Sequence, residues 1–153
     1  MSPETSRRRL SMVDPELVIR KLALITRDLN ELTKIARKSL GEYLANPTDE
    51  VLAERYLERI IGRMIDTNYH LITESGLPPP TDYYDSFTQL SKLKILTPAF
   101  ASRIATCAGL RNRIVHEYDE IDSEKVHEAL QSAVKDIPQY LALIQQHLQG
   151  LSR

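Results

Sequence analysis

Between residues 13 and 43 the apolar positions return in steps of four and three: Val18, Leu22, Ile25, Leu29, Leu32, Ala36, then Ser39 and Tyr43. That period lays one narrow stripe along a helix, the buried seam of a bundle member. Asp14-Pro15-Glu16 supplies its start: a cap, a proline at the first helical position, and an acid at the positive helix end. Val13 and Val18 are spaced as a hydrophobic staple. The spacing predicts one long helix reaching about Tyr43.

Asn46-Pro47 breaks the pattern, and Thr48 is then the expected cap of a second helix running to about Ser75. Two apolar rows, Leu52-Tyr56-Ile60 and Leu57-Ile61-Met64, put this helix centrally between two neighbours. Gly76 and Pro78-Pro79-Pro80 end it. A short helical segment follows over residues 86–93, with Asp85 as its expected cap. Thr97-Pro98 opens the next helix, and Ile121-Asp122 opens the last, with Ile121 and Val126 as a second staple. Val126, Leu130, Ala133, Ile137, Leu141, Ile144 and Leu148 give the last helix its core face, which Pro138 should kink or split. Strand-like alternation is scarce. The pattern predicts an all-α chain: an up-and-down four-helix bundle with an additional short helix, one domain over residues 13–153. Residues 1–12 have no period and read as a flexible basic arm carrying Arg7, Arg8 and Arg9.

At 153 residues the chain can bury a sizeable core. A formal net charge of −1 means that any anionic ligand must be met by a local patch. No apolar run approaches about 18 residues, so no membrane span is expected. A lone cysteine, Cys107, excludes a disulfide framework, and with no secretion signal the expected location is the cytoplasm.

Against this plain background, residues 111–118 (RNRIVHEY) crowd Arg111, Asn112, Arg113, His116, Glu117 and Tyr118 into two turns. At about 100° per residue, Arg111 extends the ridge of Phe100, Ile104 and Cys107, while Asn112 and His116 occupy the adjoining strip. A guanidinium pairs bidentately with phosphate and suits the added charge of a phosphorane-like transition state. An imidazole exchanges protons near neutral pH, and an amide orients either partner without titrating. This is a kit for cleaving RNA with the neighbouring 2′-hydroxyl as nucleophile and no metal. Arg113 and Arg103 add cations for substrate binding. Gly109, which weakens the helix, suggests close approach to its backbone by something large. A structural reading stays open beside this one. The helix dipole alone favours Arg and His near a C-terminus, and Tyr118 fits equally as a bundle anchor.

Arg111-x4-His116-x-Tyr118, with Asn112 after the arginine and Val115 before the histidine, resembles the signature of the HEPN superfamily. More narrowly it resembles the HepT toxins of toxin–antitoxin pairs. "YLANPTDEVLAERYLERIIGRMID", "PPPTDYYDSFTQL" and "GLRNRIVHEY" are also similar to that branch. The resemblance implies an endoribonuclease whose Arg111 and His116 are catalytic and Asn112 supporting. It implies as partner a minimal nucleotidyltransferase antitoxin of MntA type, which silences the toxin by adding AMP to Tyr118. Tyr83, Tyr84 and Tyr140 stand next in line for that modification. One histidine per motif predicts a homodimer whose two motifs form a composite cleft. No cofactor is expected. The competing class is a non-catalytic helical module of HEPN type that binds nucleotide or protein.

Other groupings are weaker. Asp66 and His70 are four apart, a spacing that suits a metal, but they lack a third ligand, and no metal site is expected. His127 and His147 read as surface residues. Cys107, on the apolar ridge with no adjacent base, reads as buried and unreactive.

Overall fold

The computed structural model describes residues 12–116 and 120–151. Six helices follow one another: α1 (Pro15–Ala36), α2 (Leu40–Leu44), α3 (Pro47–Glu74), α4 (Tyr83–Lys92), α5 (Pro98–His116) and α6 (Ser123–Leu151). The basic arm, apart from Met12, lies outside the described residues, as do residues 117–119. Four long helices form the bundle: α1 packs on α3, α3 on α5, α5 on α6, and α6 returns to α1. The pairs Asp14–His70, Asp28–Arg63 and Lys38–Asp49 run in opposite order along α1 and α3, which are therefore antiparallel. Among the described residues there is no strand, and no helix is long and apolar enough to cross a membrane.

The expected start of α1 is borne out. Asp14 accepts the Leu17 N–H at 3.2 Å, and both staple valines are buried. Its predicted end is not. The helix stops at Ala36, and Ser39 opens the separate turn α2 through a capping box with Glu42. Two N–H groups find local side-chain partners there, which offsets the lost helical bonds. Tyr43 remains fully buried, so the stripe persists although the helix does not.

Asn46, rather than Thr48, caps α3, because Pro47 takes the first helical position and moves the cap upstream. The helix lies centrally, against α1 on one side and α4 and α5 on another, but only the row Leu57, Ile61 and Met64 is buried throughout; in the other expected row Ile60 is buried, Tyr56 partly so, and Leu52 is 40% exposed. Gly76, at φ 86, turns the chain away in the left-handed region. The short helix α4 begins three residues earlier than expected and is capped by Asp82. Asp85 instead sits in its first turn and accepts bonds from Thr81, Thr88 and Gln89. Those bonds, the Thr81 N–H first, hold its carboxyl below the usual carboxylate range. Pro138 does not split α6, since Ile137, Tyr140 and Ile144 keep the same face buried across it. One missing backbone bond is set against several buried side chains worth about 1.5–3 kcal/mol each.

Two polar devices lock the helices in place. Asp28, 3% exposed, receives Arg63 Nη1 at 2.7 Å and Arg59 Nε at 3.1 Å, joining α1 to α3. Deeper in the core, the Tyr140 hydroxyl donates to Asn68 Oδ1, and Asn68 Nδ2 donates to Ser86 Oγ at 3.2 Å. Ser86 Oγ then donates to the Tyr83 carbonyl at 2.7 Å. This relay runs from α6 through α3 to the first turn of α4.

Candidate active site

Thr97 starts the helix that carries the motif, its hydroxyl accepting the Phe100 N–H at 3.2 Å. Phe100, Ala101, Ile104, Ala105 and Ala108 anchor α5 in the core, and Arg113 and His116 fall in its last turn, where the helix dipole favours cations.

Arg111 continues the buried face and turns toward α3 and α4. Its guanidinium carbon lies 5.3 Å from the centroid of the Tyr83 ring. Its Nε is buried without a hydrogen-bond partner. A buried guanidinium N–H left unpaired is costly, so its persistence marks a group aimed at something other than the fold. Gly62 opens the space beside it: a Cβ there would stand 3.9 Å from Arg111 Nε. Gly62, Ile65, Asp66, Tyr69, Tyr83 and Arg111 line a cleft of about 390 Å³. Tyr69 and Tyr83 meet edge to face at 6.4 Å, and burial, then the Tyr83 phenol, raises the Tyr69 phenol above its usual range.

Asn112 and His116 face solvent, and neither side chain has a hydrogen-bond partner among the described residues. The three motif residues thus occupy one end of one helix, but only Arg111 enters the cleft. Arg113 and Arg103 go elsewhere. With Cys107, Lys125 and Asp136 they border a groove of about 360 Å³ between α5 and α6. Arg103 is already engaged there, 3.4 Å from Asp136, 3.3 Å from Gln139 and stacked 5.1 Å from the Phe100 ring. Two residues along a helix are 200° apart, so Arg113 cannot share a wall with Arg111. Among the described residues, a Cβ at Gly109 would meet only the tip of Arg113, at 3.9 Å, so nothing large approaches it there.

Tyr118 lies outside the described residues. Of the other tyrosines considered for modification, Tyr83 and Tyr84 are exposed, whereas Tyr140 is completely buried and its hydroxyl engaged, which removes it. Asp66 pairs with Lys21 at 3.6 Å, and His70 Nε2 accepts the Asp14 N–H at 3.0 Å, so the two serve different partners. Among the described residues no group of three His, Cys, Asp or Glu could hold a metal.

His127 is not a bare surface residue. Its ring packs 5.2 Å from Tyr43, and Nε2 is 2.9 Å from the Lys38 carbonyl. His147 is half-buried, which lowers its pKa. Burial, with a smaller contribution from Asp136, pushes the Cys107 thiol up to about 12, in keeping with an unreactive cysteine. Tyr69, Tyr83 and Gly62 had no motif to announce them. The proline loop and α4 bring Tyr83 onto Arg111 from 28 positions away, and only packing reveals that.

Residues 25–144 match the family described as ribonuclease HepT-like. The chain is 35% identical over 139 residues to the tRNA nuclease HepT of Aphanizomenon flos-aquae (strain 2012/KM1/D3), covering 91% of this chain and 95% of that protein. Over 132 residues it is 26% identical to the mRNA nuclease HepT of Shewanella oneidensis, covering 84% and 96%. The tri-AMPylated Shewanella oneidensis HEPN toxin, solved in complex with MNT antitoxin, has the same fold, with a TM-score of 0.78 at 24% identity over 87% of this chain and 99% of that one. The cytosolic protein YutE from Bacillus subtilis shares it as well, with a TM-score of 0.75 at 19% identity, covering 90% and 92%. With the family match running from α1 into α6, and a relative 35% identical covered along 95% of its length, this chain belongs to the HepT-like family of ribonucleases.

Proposed function

We propose that the chain is the RNA-cleaving toxin of a toxin–antitoxin pair, a metal-independent endoribonuclease in which Arg111 and His116 are catalytic and Asn112 orients. The observation that carries this is the pairing on one helix end of a solvent-facing His116 with an Arg111 whose buried Nε has no partner. His116 removes the proton of a 2′-hydroxyl, whose oxygen attacks the adjacent phosphorus. The bond from phosphorus to O5′ breaks, and a protonated imidazole returns a proton to that oxygen. Arg111 pairs with the phosphate oxygens as their charge grows. The products are a 2′,3′-cyclic phosphate and a 5′-hydroxyl.

One chain offers one such histidine, exposed and apart from the cleft, so the acid and base are assigned to the two motifs of a homodimer. Arg113 and Arg103 extend the basic surface for substrate, Arg103 after releasing Asp136 and Gln139. The partner is an MntA-like nucleotidyltransferase antitoxin that adds AMP to Tyr118. The added phosphate would then occupy the cations that RNA requires. Support comes from the nuclease names of the relatives and from the AMPylated, antitoxin-bound state of the Shewanella toxin.

The test is cleavage of RNA by purified protein in EDTA, with end-group analysis of the products. His116→Ala and Arg111→Ala should each abolish cutting with helical circular dichroism unchanged. Full activity in His116→Ala would overturn the assignment, and RNA binding without turnover in the unmodified protein would favour the non-catalytic module. Light scattering tests the dimer. Intact mass after incubation with antitoxin and ATP tests Tyr118, since Tyr118→Phe should gain no AMP.

A further inference from the structure

The cleft beside Arg111 is chemically lopsided. Its lining holds a guanidinium with an unpaired, buried Nε and the Asp66 carboxylate, 64% exposed and held at 3.6 Å by Lys21. The Tyr69 ring, the buried Ile65 and the bare backbone of Gly62 share the α3 wall with Asp66, and Tyr83 faces Tyr69. A bare anion would leave Asp66 and the Tyr69 ring unused, and an apolar ligand would leave Arg111 unsatisfied. The occupant that uses all three combines negative charge, a flat apolar body and hydrogen-bond donors. A nucleotide has this layout, and a volume of about 390 Å³ lies in the range of small-molecule sites.

We propose that the cleft between α3, α4 and α5 seats one unstacked nucleotide of the RNA substrate, with its phosphate on Arg111, its base on the Tyr69 ring and its donor edge toward Asp66. The proposal rests on the ribonuclease reading of the same motif. Sequence-selective RNA recognition proceeds by splaying bases from single strands onto aromatic rings, and this cleft offers a ring with a carboxylate three positions away on the same helix. An ionised carboxylate only accepts, so Asp66 selects bases with N–H groups on the pairing edge. Guanine presents two side by side, N1–H and the 2-amino group, and is the favoured occupant. Tyr83 is the positioning residue, since its ring bears the guanidinium that meets the phosphate.

The experiment measures affinity of His116→Ala protein, which leaves RNA uncut, for single-stranded oligoribonucleotides with one guanosine or one inosine. Inosine lacks only the 2-amino donor. Guanosine should bind about tenfold more tightly, as expected for one lost bond to a charged acceptor. Asp66→Asn, a change at an exposed carboxylate, should erase that ratio. Tyr69→Leu should weaken binding of both oligonucleotides about tenfold, the usual loss for one stacking platform, with Tyr69→Phe restoring it. In the enzyme with His116 intact, the Tyr69→Leu loss should fall on KM rather than kcat.

An unchanged guanosine-to-inosine ratio in Asp66→Asn, with Tyr69→Leu binding as tightly as its parent, would overturn the subsite. If the intact enzyme still cuts RNA, the ribonuclease reading survives that result. Tyrosine-dependent guanosine binding by a protein that cuts nothing would sustain the subsite and sink the catalytic reading instead.

Discussion

Arg111 on α5 and Tyr83 at the start of α4 form one unit, the guanidinium resting 5.3 Å above the ring centroid although the residues are 28 positions apart. No ion pair holds Arg111 among the described residues, so the ring is its main support. Tyr83→Ala should lower kcat/KM about tenfold, in line with a cation–π contact worth about 1–2 kcal/mol. Tyr83→Phe, which keeps the ring, should rescue it. Steady-state kinetics on one RNA oligonucleotide separates the two, and equal activity of all three proteins would remove Tyr83 from the site.

The relay from Tyr140 through Asn68 and Ser86 to the Tyr83 carbonyl gives that support its rigidity. Tyr140→Phe keeps the buried ring packed edge-on against Phe87 at 6.1 Å and removes only the donor. Asn68 Oδ1 would then be stranded in the core, which should cost about 1–3 kcal/mol. Urea unfolding reads that loss, and a destabilisation below about 0.5 kcal/mol would mean that the relay is replaceable.

Asp28 is a test of the α1–α3 lock. Asp28→Ala leaves Arg59 and Arg63 facing one another without their carboxylate. Breaking a buried pair from one side costs about 3–5 kcal/mol. Because both arginines are partly exposed and keep some hydration, about 2–3 kcal/mol is the expected loss in denaturant unfolding. Asp28→Asn, isosteric and able to accept, should lose less.

His147 makes stability fall on the acid side. Burial holds its folded-state pKa below the ordinary 6.5, so the unfolded chain binds the proton more readily. Its contribution is complete above about pH 6.5 and is lost as pH falls through the folded value. His147→Gln should therefore narrow the gap in Tm between pH 7.5 and pH 5.0. An identical gap in both proteins would contradict the assignment.

Helix type, the α1, α5 and α6 starts, most of the core stripes and the Arg-x4-His motif could be read from the chain, while Leu52, expected in a stripe, is 40% exposed. Each is set within one or two turns, by side-chain period, by caps and by residue chemistry. Even the errors are local ones: Ser39 and Glu42 spell a capping box that an uninterrupted stripe of Ala36, Ser39 and Tyr43 masked. What α5 faces is a different matter. Spacing put Arg111, Asn112 and His116 on one arc and counted Arg103 and Arg113 with them, whereas packing sends them to a cleft, to solvent and to a second groove. Which side of a helix becomes an interior wall depends on partners brought from Gly62, Tyr69, Tyr83 and Asp136. Burial energy is summed over all of them at once, and no stretch of the chain carries that sum by itself.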